Sequence, residues 1–305
     1  MSENKLVSVV VPVYNSELSL PELTERIHIT LSSSHIPYEI IFVDDGSKDN
    51  SWAKIENIRT GYSDSVRAYK LKKNTGQQNA TFFGLTKAKG DLVITIDDDL
   101  QFPPEEIIKL LDEQMKTSAD IVYGTYRKDY LSSIRSILSV FFRILAFLLF
   151  GLNRSTSFRL INKSLIRKII NNNNSIRVID LLIKDLDPRI QYLKVRHCKR
   201  KYSVSNYTIV SLMKLSVHIL AIYSVYTTRM VLYSLIAAVI FLIILGSRFV
   251  FHEMFYNPII SLFSISMITV SSVTLIAGFT EICLLNYKKK LTATNSYNPE
   301  VEDQL

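Results

Sequence analysis

The sequence has few cysteines. Its 305 residues include only Cys198 and Cys283, and two cysteines cannot build a disulfide framework. Because Cys283 also lies in an apolar segment, we expect a reducing compartment. A secretory signal is missing as well, because the apolar run Val7–Val13 is short, contains Pro12 and leads into a turn. That run is typical of a core strand.

Charge is missing from two long stretches near the C-terminus. Met230–Ser247 has 18 residues and Met254–Thr280 has 27, none of them charged. Since about 20 apolar residues cross a bilayer, both stretches predict transmembrane helices, at about 229–250 and about 257–284, joined as a hairpin. Lys288–Lys290 follow the second stretch and other basic residues precede the first, which predicts that both termini are cytoplasmic. The alternative interpretation is a pair of buried core helices.

Basic residues outnumber acidic ones, and the formal net charge is +8. The excess lies between Arg127 and Arg229 and at Lys288–Lys290, which suits an anionic membrane surface and a phosphate-bearing ligand. We therefore expect no nucleic-acid partner. Within this region the apolar stretch Ile134–Leu152 is interrupted by Arg143. Its helical spacing predicts an amphipathic helix at about 132–152, lying in the membrane interface or packing on the domain's own core.

The first 125 residues alternate between strand and helix patterns. This alternation predicts an α/β domain with a mostly parallel sheet covered on both faces. We assign residues 1–215 to this domain, 216–288 to a membrane region and 289–305 to a polar tail. The predicted strands are Val7–Val13, Glu39–Val43, Val66–Leu71, Leu92–Ile96 and Asp120–Gly124, and the predicted helices are Pro21–Ser33, Asp49–Thr60, Gln77–Ala88 and Pro104–Lys116.

An acidic motif follows the fourth predicted strand. The apolar run that ends at Ile96 leads into three carboxylates and a glutamine, and Pro103 and Pro104 then open a helix. Asp97 and Asp99 therefore lie where a strand leaves the sheet, the usual place for a ligand in an open α/β sheet. Two carboxylates so close together repel each other unless a cation joins them, which predicts a divalent ion that also takes diphosphate oxygens. A solvated acidic turn is the alternative interpretation.

Polar residues also follow the first three predicted strands. Pro12–Asn15 end the first, and Asp44 and Asp45 end the second, where a carboxylate can accept a uracil imide N–H or ribose hydroxyls. Asp-Gly-Ser is also ordinary turn chemistry, so a purely structural role is equally open for the two aspartates. Asn74–Asn79 open a helix whose N–H groups can hold an anion, although helix capping explains this segment about as well.

These motifs together resemble family 2 glycosyltransferases of GT-A fold. Two later segments narrow the resemblance to polyprenyl-phosphate glycosyltransferases, the group of dolichyl-phosphate mannose synthase and bactoprenyl-phosphate glucosyltransferase. They are Ser157–Asn162, which contains Phe-Arg-Leu, and His197–Thr208. The resemblance covers about residues 5–288, including the C-terminal hairpin. The earlier motifs that carry it are Val11–Asn15, Val43–Ser47, Asn74–Gln77 with Ala80 and Gly84–Leu85, and Asp97–Gln101 with Pro103–Glu105.

The resemblance implies roles for matched residues. It implies a Mg²⁺ or Mn²⁺ ion on Asp97, Asp99 and Gln101. It places the nucleotide sugar near Pro12, Tyr14, Asp44, Asp45, Gly76, Gln77, Asp97 and Asp98, with Asp44 on the base. It implies that the lipid phosphate is bound by Arg127, Arg135, Arg200 and Ser205. The catalytic residues that it implies are Asp97, Asp99, Arg127 and Arg159. Arginine forks bond phosphate in a bidentate way, but anchoring to the membrane surface is the alternative for Arg135 and Arg200.

The chain departs from the pattern at two positions. Ser157 stands where some relatives carry an aspartate proposed as a base, and Ser203 stands where they carry glycine. We do not assign Ser157 as a base. A lipid monophosphate is largely ionised at neutral pH, by analogy with phosphoserine, and so needs little deprotonation.

The sequence therefore predicts an inverting glycosyltransferase of the inner, cytoplasmic membrane. It would move a sugar, with a UDP-hexose favoured, to polyprenyl (undecaprenyl) phosphate for cell-envelope glycan synthesis, and relatives suggest a homo-oligomer such as a tetramer. A processive polysaccharide synthase is the first alternative, but it needs a Gln-x-x-Arg-Trp motif and the single tryptophan is Trp52. A non-catalytic membrane scaffold is the second, and the intact pair Asp97 and Asp99 argues against it.

Overall fold

The computed structural model describes residues 5–126, 156–171, 179–184 and 186–202, and the backbone of 301–304. The predicted interfacial helix, both predicted transmembrane helices, Arg127, Arg135, Ser203 and Ser205 lie outside these residues. Within the described ranges, every helix is too short or too polar to cross a bilayer.

An eight-stranded mixed sheet forms the centre of the described domain, in the order β7-β5-β6-β4-β1-β2-β3-β8. Its central strands β3, β2, β1 and β4 run parallel to one another, whereas β6 is antiparallel to both β4 and β5, and β8 is antiparallel to β3. The strands are β1 Val7–Val13, β2 Tyr38–Asp44, β3 Val66–Leu71, β4 Leu92–Thr95, β5 Ile121–Thr125, β6 Arg159–Asn162, β7 Ile190–Lys194 and β8 Val301–Gln304.

Helices cover the two faces of this sheet. They are α1 Leu20–Ser33, α2 Ser51–Gly61, α3 Gln77–Lys87, a short 3₁₀ turn Pro104–Glu106, α4 Ile107–Thr117, α5 Lys163–Asn171 and α6 Ile179–Lys184. Alternate residues of a strand face opposite sides, so β1 serves two cores. Val9 and Val11 belong to the buried core that includes residues of α1 and α4, whereas Val10 belongs to the core that includes residues of α3, α5 and α6. All seven residues of β1 are buried, as expected for a central parallel strand.

The predicted elements of the first 125 residues are present, with ends that differ by one or two residues for most of them. The predicted helix over Pro104–Lys116 begins as a 3₁₀ turn, because Pro103 and Pro104 restrict the backbone there. The prediction contained none of β6, β7, β8, α5 and α6. The strand β6 is short and runs antiparallel to both β4 and β5. It therefore does not belong to the alternation of strands and helices on which the prediction was based.

Candidate active site

The carboxyl ends of β1, β2 and β4 lie side by side because β1 pairs in parallel with both of the others. The loops that follow these strands are tied together by hydrogen bonds. The Tyr14 N–H donates to Asp98 Oδ2 over 3.0 Å, and the Asn15 N–H donates to Ser47 Oγ over 2.9 Å. The predicted site residues at the three strand ends therefore lie together at one edge of the sheet.

Asp98 holds two of these loops together. Its Oδ2 accepts the Tyr14 N–H and also the Ser16 hydroxyl, at 2.5 Å. Burial raises the pKa of Asp98 to about 7, against the lowering effect of the Ser16 hydrogen bond. The Asp98 carboxylate therefore fastens the loop after β1 to the acidic loop, which is a structural role.

Asp45 organises the loop that leads into α3. Its Oδ1 accepts the Thr75 N–H at 2.7 Å and the Thr75 hydroxyl at 2.8 Å, and its Oδ2 accepts the Gly76 N–H at 2.7 Å. Gly76 has φ of 92°, a left-handed conformation that glycine adopts without strain. Burial raises the pKa of Asp45, although these donors oppose the rise. Both carboxylate oxygens are therefore used inside the protein.

Asp44, the neighbour of Asp45, uses only one of its two carboxylate oxygens in hydrogen bonds among the described residues. The side chain is fully buried, and Oδ1 accepts the Ser47 N–H at 3.1 Å. Its Oδ2 has no hydrogen-bond partner among the described residues. Burial raises the pKa of this carboxyl group. Lys70 of β3 pairs with Asp44 in the sheet, and its Nζ atom lies 5.9 Å from the ring centroid of Trp52. An ammonium group and an indole therefore flank this end of the sheet.

Asp97 lies between α3 and the start of β6. The Gln77 amide donates to its Oδ1 at 2.5 Å, and the Ser157 hydroxyl donates to its Oδ2 at 2.6 Å. Burial raises the pKa of Asp97 to about 6, against the lowering effect of the Ser157 hydrogen bond. Ser157 therefore positions this carboxylate, and its hydroxyl proton points to Asp97.

Asp99 and Gln101 share one cationic partner, Arg200. The Arg200 Nε atom lies 2.9 Å from Asp99 Oδ2 and 3.2 Å from Gln101 Oε1. The turn between the two ligands is tight, because Leu100 has φ of 58° and the Gln101 N–H donates to Asp99 Oδ1 at 3.0 Å. Two oxygens that converge on one positive group suit a hard divalent cation, so these residues fit the predicted metal.

No group of three or more His, Cys, Asp or Glu side chains forms a metal site within the described residues. A metal at the acidic loop would therefore depend on the oxygens of Asp97, Asp99 and Gln101 and on oxygens brought by the ligand. Mg²⁺ and Mn²⁺ accept such sites, because a few carboxylates and substrate phosphates complete their coordination.

Arg159, predicted at the catalytic centre, is buried in the core of the domain with an exposure of 1%. Its guanidinium bonds Asp180 of α6, and the Tyr123 hydroxyl donates to the same carboxylate oxygen at 2.9 Å. The pKa of Arg159 is raised by Asp180 and Tyr123, although burial opposes the rise. Its Nε has no partner among the described residues. Asp180 and Tyr123 carry no sequence motif, so the prediction could not include them.

Aromatic rings flank the other side of the acidic loop. The His197 and Tyr126 rings stack with centroids 3.6 Å apart, and Phe102 lies edge-on to both. Phe102 also stacks on Phe158, which precedes Arg159. This cluster fixes the segment after β7 against the acidic loop.

A family model described as "Glycosyl transferase family 2" matches residues 8–180, which include the strand ends, the acidic loop and β6. The chain belongs to glycosyl transferase family 2. It is an enzyme that transfers glycosyl groups, as the resemblance predicted.

Two curated relatives are named undecaprenyl-phosphate 4-deoxy-4-formamido-L-arabinose transferase. The protein from Serratia proteamaculans (strain 568) is 32% identical over 241 residues, covering 77% of this chain and 72% of the relative. The protein from Proteus mirabilis (strain HI4320) is 36% identical over 215 residues, covering 68% of this chain and 65% of the relative. The match thus spans a little under two thirds of the second relative's length.

Solved structures support the fold of this family 2 transferase. Glucosyl-3-phosphoglycerate synthase from Mycobacterium tuberculosis, solved with Mn²⁺, UDP and phosphoglyceric acid, superposes with a TM-score of 0.52 at 20% identity, covering 72% of this chain and 77% of its own. Mannosyl-3-phosphoglycerate synthase from Rubrobacter xylanophilus gives a TM-score of 0.52 at 16% identity, covering 74% of each chain. The GT-A type α/β fold is therefore confirmed.

Proposed function

We propose that this family 2 transferase moves a sugar from a nucleotide sugar to a polyprenyl phosphate. The observation that carries the proposal is the sheet edge at which Asp44 offers an unpartnered buried oxygen and at which Asp99 of the acidic loop forms a salt bridge with Arg200. The relatives named as undecaprenyl-phosphate transferases support the acceptor.

The free oxygen of Asp44 would accept a hydrogen bond from the nucleotide. A buried acceptor without a partner is costly, so a ligand N–H or hydroxyl that satisfies it gains affinity. The imide N–H of uracil matches such an acceptor, which favours a uridine nucleotide. Asp45, bonded to Thr75 and Gly76, would hold the surrounding loop in place rather than touch the nucleotide.

A divalent cation, Mg²⁺ or Mn²⁺, would be held by Asp97, Asp99 and Gln101. When bound, it supplies positive charge to the diphosphate of the departing nucleotide. The protein's own contribution is to fix the carboxylates: Gln77 and Ser157 orient Asp97, and the tight turn at Leu100 orients Asp99 toward Gln101. Such preorganisation costs no rearrangement at the moment of reaction.

The reaction would be an in-line displacement. A phosphate oxygen of the lipid attacks C1 of the sugar, the bond from C1 to the diphosphate breaks, and the configuration at C1 inverts. An ionised phosphate needs little help from a base. Ser157, whose hydroxyl donates to Asp97, is accordingly given no base role, and Arg127, Arg135, Arg200 and Ser205 are proposed to position the lipid phosphate.

The active site would lie at the cytoplasmic face of the inner membrane, to which the predicted hairpin at about 229–250 and about 257–284 would anchor the chain. One feature of the sheet supports this topology. The strand β8 pairs with β3, so Val301–Gln304 belong to the catalytic sheet. A chain that leaves this domain after Tyr202 and returns at Val301 must cross any bilayer an even number of times. A homotetramer is proposed from the resemblance alone, and light scattering of the purified protein would test it.

The donor sugar is tested directly with labelled substrates. Membranes that contain the protein are incubated with undecaprenyl phosphate and a panel of radiolabelled nucleotide sugars, including UDP-hexoses, the UDP-linked formamido-arabinose and GDP- and dTDP-sugars. We expect an organic-soluble labelled lipid from one uridine donor, lost with excess EDTA and with membranes carrying Asp99→Ala. A hexose product would support the donor expected from the sequence, and a formamido-arabinose product the one in the relatives' names. No labelled lipid from any donor would contradict the proposal.

A further inference from the structure

The segment Val195–Tyr202, here called the strap, crosses the acidic loop. It begins where the Val195 N–H donates to the Thr125 carbonyl at 2.9 Å, next to the stacked ring of His197. In its middle, the Cys198 N–H donates to the Gln101 carbonyl at 2.7 Å. The strap is therefore attached to the loop that carries the proposed metal ligands.

Acidic residues hold both ends of the strap. At its start, Arg196 Nε lies 2.6 Å from Glu106 Oε1, and the Glu106 side chain is 1% exposed. Near its end, Lys201 Nζ and the Tyr202 hydroxyl each lie 2.7 Å from Glu22 Oε2 on α1. Hydrogen bonds from these two groups lower the pKa of Glu22, so this anchor stays charged at neutral pH.

Between these anchors, Arg200 reaches two of the three proposed metal ligands. Its Nε–H donates to Gln101 Oε1, and the guanidinium forms a salt bridge with Asp99 Oδ2. Its side chain is about one third exposed, at 30%, so a change of rotamer can carry the guanidinium off the loop without moving the strap's backbone. A guanidinium and a divalent cation repel each other, so each weakens the other's binding to these two oxygens.

We propose that Arg200 and the divalent cation exchange at the acidic loop. Arg200 neutralises Asp99 and Gln101 while the site holds no metal, and the incoming cation displaces it. The released guanidinium then bonds a phosphate group of the substrates, for which its planar fork is suited. This inference rests on the proposed function, since it takes a divalent cation and a phosphate-bearing substrate as given.

The strap's anchors make this exchange local. Glu106 and Glu22 keep the strap on the domain while Arg200 changes partner, so the guanidinium stays within a side chain's reach of the loop. Binding of the metal is thereby coupled to delivery of a positive charge to the phosphates. Without substrate, Arg200 opposes binding of the metal because it has to be displaced. With substrate, the displaced Arg200 bonds the phosphate and so favours binding.

The coupling predicts that Arg200→Gln changes two affinities in opposite directions. The variant should bind Mn²⁺ more tightly and a phosphate-bearing substrate more weakly. Mn²⁺ binding is followed by electron paramagnetic resonance on the full chain in detergent, with Arg200→Gln, Arg200→Lys and, as a matched control, Arg26→Gln. Arg26 also bonds a carboxylate of the same motif, Glu105 at 2.7 Å, and the strap's anchor Glu22 at 3.2 Å, but not a proposed ligand. Without nucleotide we expect Arg200→Gln to bind Mn²⁺ about tenfold more tightly than the native chain, a difference of about 1.4 kcal/mol. Arg200→Lys and Arg26→Gln should stay within about threefold.

For one of the phosphate-bearing substrates, Arg200→Gln should bind more weakly than the native chain. Fluorescence of the single Trp52, which lies beside Lys70, reports UDP binding in saturating Mn²⁺. We expect Arg200→Gln to bind UDP about tenfold more weakly, or, if the guanidinium moves to the lipid, to need about tenfold more undecaprenyl phosphate at unchanged UDP affinity. Either loss supports the exchange and identifies which phosphate Arg200 reaches. A residue with only a structural role would not strengthen one affinity and weaken the other.

Two results would overturn the exchange, and they differ from each other. Equal or weaker Mn²⁺ binding by Arg200→Gln, in a chain that binds Mn²⁺ well, contradicts the exchange and leaves the proposed transferase function intact. Absence of Mn²⁺ binding by both the native chain and Arg200→Gln contradicts the exchange together with the metal site. Unchanged Arg26→Gln establishes that a difference at Arg200 is not a general effect of lost charge.

Discussion

Neighbouring aspartates lie at the ends of both β2 and β4. In each case one aspartate bonds the adjacent loops, and its neighbour is a candidate to bind a ligand. At the end of β2, Asp45 is fully used by Thr75 and Gly76, whereas Asp44 keeps an unpartnered oxygen. At the end of β4, Asp98 holds the loop after β1, whereas Asp97 and Asp99 face Gln77 and Arg200.

The difference follows from the geometry of a strand end. Successive side chains at the end of a strand point in opposite directions, so Asp45 turns toward the loop before α3 and Asp44 turns away from it. The inward carboxylate stabilises the loops, and its neighbour then has a fixed position from which to bind a ligand. Four substitutions and one pH measurement can break or sharpen this comparison.

Replacing Asp99 should have the largest effect. In Asp99→Ala we expect transfer activity to fall by about 10³, because electrostatic stabilisation of the leaving group is lost, while thermal unfolding stays close to the native value. The measurement is formation of labelled lipid at saturating donor, with the unfolding temperature as control. Full activity in this variant would revive the view of a non-catalytic scaffold.

Replacing Asp45 should act on stability. In Asp45→Asn one oxygen becomes an N–H₂ group that faces the donors Thr75 and Gly76, so we expect a loss of about 1–3 kcal/mol in the free energy of unfolding. Denaturant unfolding of the variant measures it. A loss of nucleotide affinity with native stability would instead assign Asp45 to the ligand.

Replacing Asp44 should act on the ligand. In Asp44→Asn the free acceptor is lost or reversed, and we expect UDP to bind about tenfold more weakly, about 1.4 kcal/mol, with unfolding little changed. Titration of Trp52 fluorescence with UDP measures the affinity. If Asp44→Asn and Asp45→Asn gave the same pattern, the proposed division between the two residues would be wrong.

Stability should also depend on pH through Asp45. Burial raises the pKa of Asp45 in the folded state above the ordinary aspartate value. At pH values between the unfolded pKa and the folded pKa, the folded state therefore binds more protons than the unfolded state. The corresponding stability is present below the unfolded pKa of about 3.9 and is lost as the pH rises through the folded pKa. Unfolding experiments across this window should show a decline for the native chain that is smaller in Asp45→Asn. An equal decline in both would contradict the assignment.

Replacing Ser157 should have the smallest effect. Ser157→Ala removes one hydrogen bond to Asp97, which keeps its bond from Gln77, so we expect transfer activity within about tenfold of the native value. The transfer assay over a range of pH is the measurement. A loss as large as that of Asp99→Ala would mean that Ser157 takes part in the chemistry.

The sequence predicted the parallel half of the sheet because alternation of strands and helices is a local pattern. It also brought Asp44, Asp97 and Asp99 to one edge, since the carboxyl ends of parallel strands meet there. The resemblance assigned the base to Asp44 and the metal to Asp97 and Asp99, but the sequence could not show that Asp45 and Asp98 bond neighbouring loops, because their partners are distant in the chain.

Contacts between distant segments were beyond the sequence for the same reason. Asp180 lies 21 residues from its partner Arg159, and Arg200 lies 99 residues from Gln101. Neither pair has a spacing rule, because both form only when β6 and the strap have folded onto the sheet. Arg159 therefore was predicted at a phosphate and is found buried against Asp180.

A structure of the full chain with Mn²⁺ and UDP tests the central claim most directly. The account predicts the metal on oxygens of Asp97, Asp99 and Gln101 and the nucleotide base on Asp44, with Arg200 moved to a phosphate and Asp45 and Asp98 keeping their present bonds. A metal bound elsewhere, or a nucleotide held by Asp45 and Asp98 while Asp44 and Asp99 keep their present partners, would contradict it.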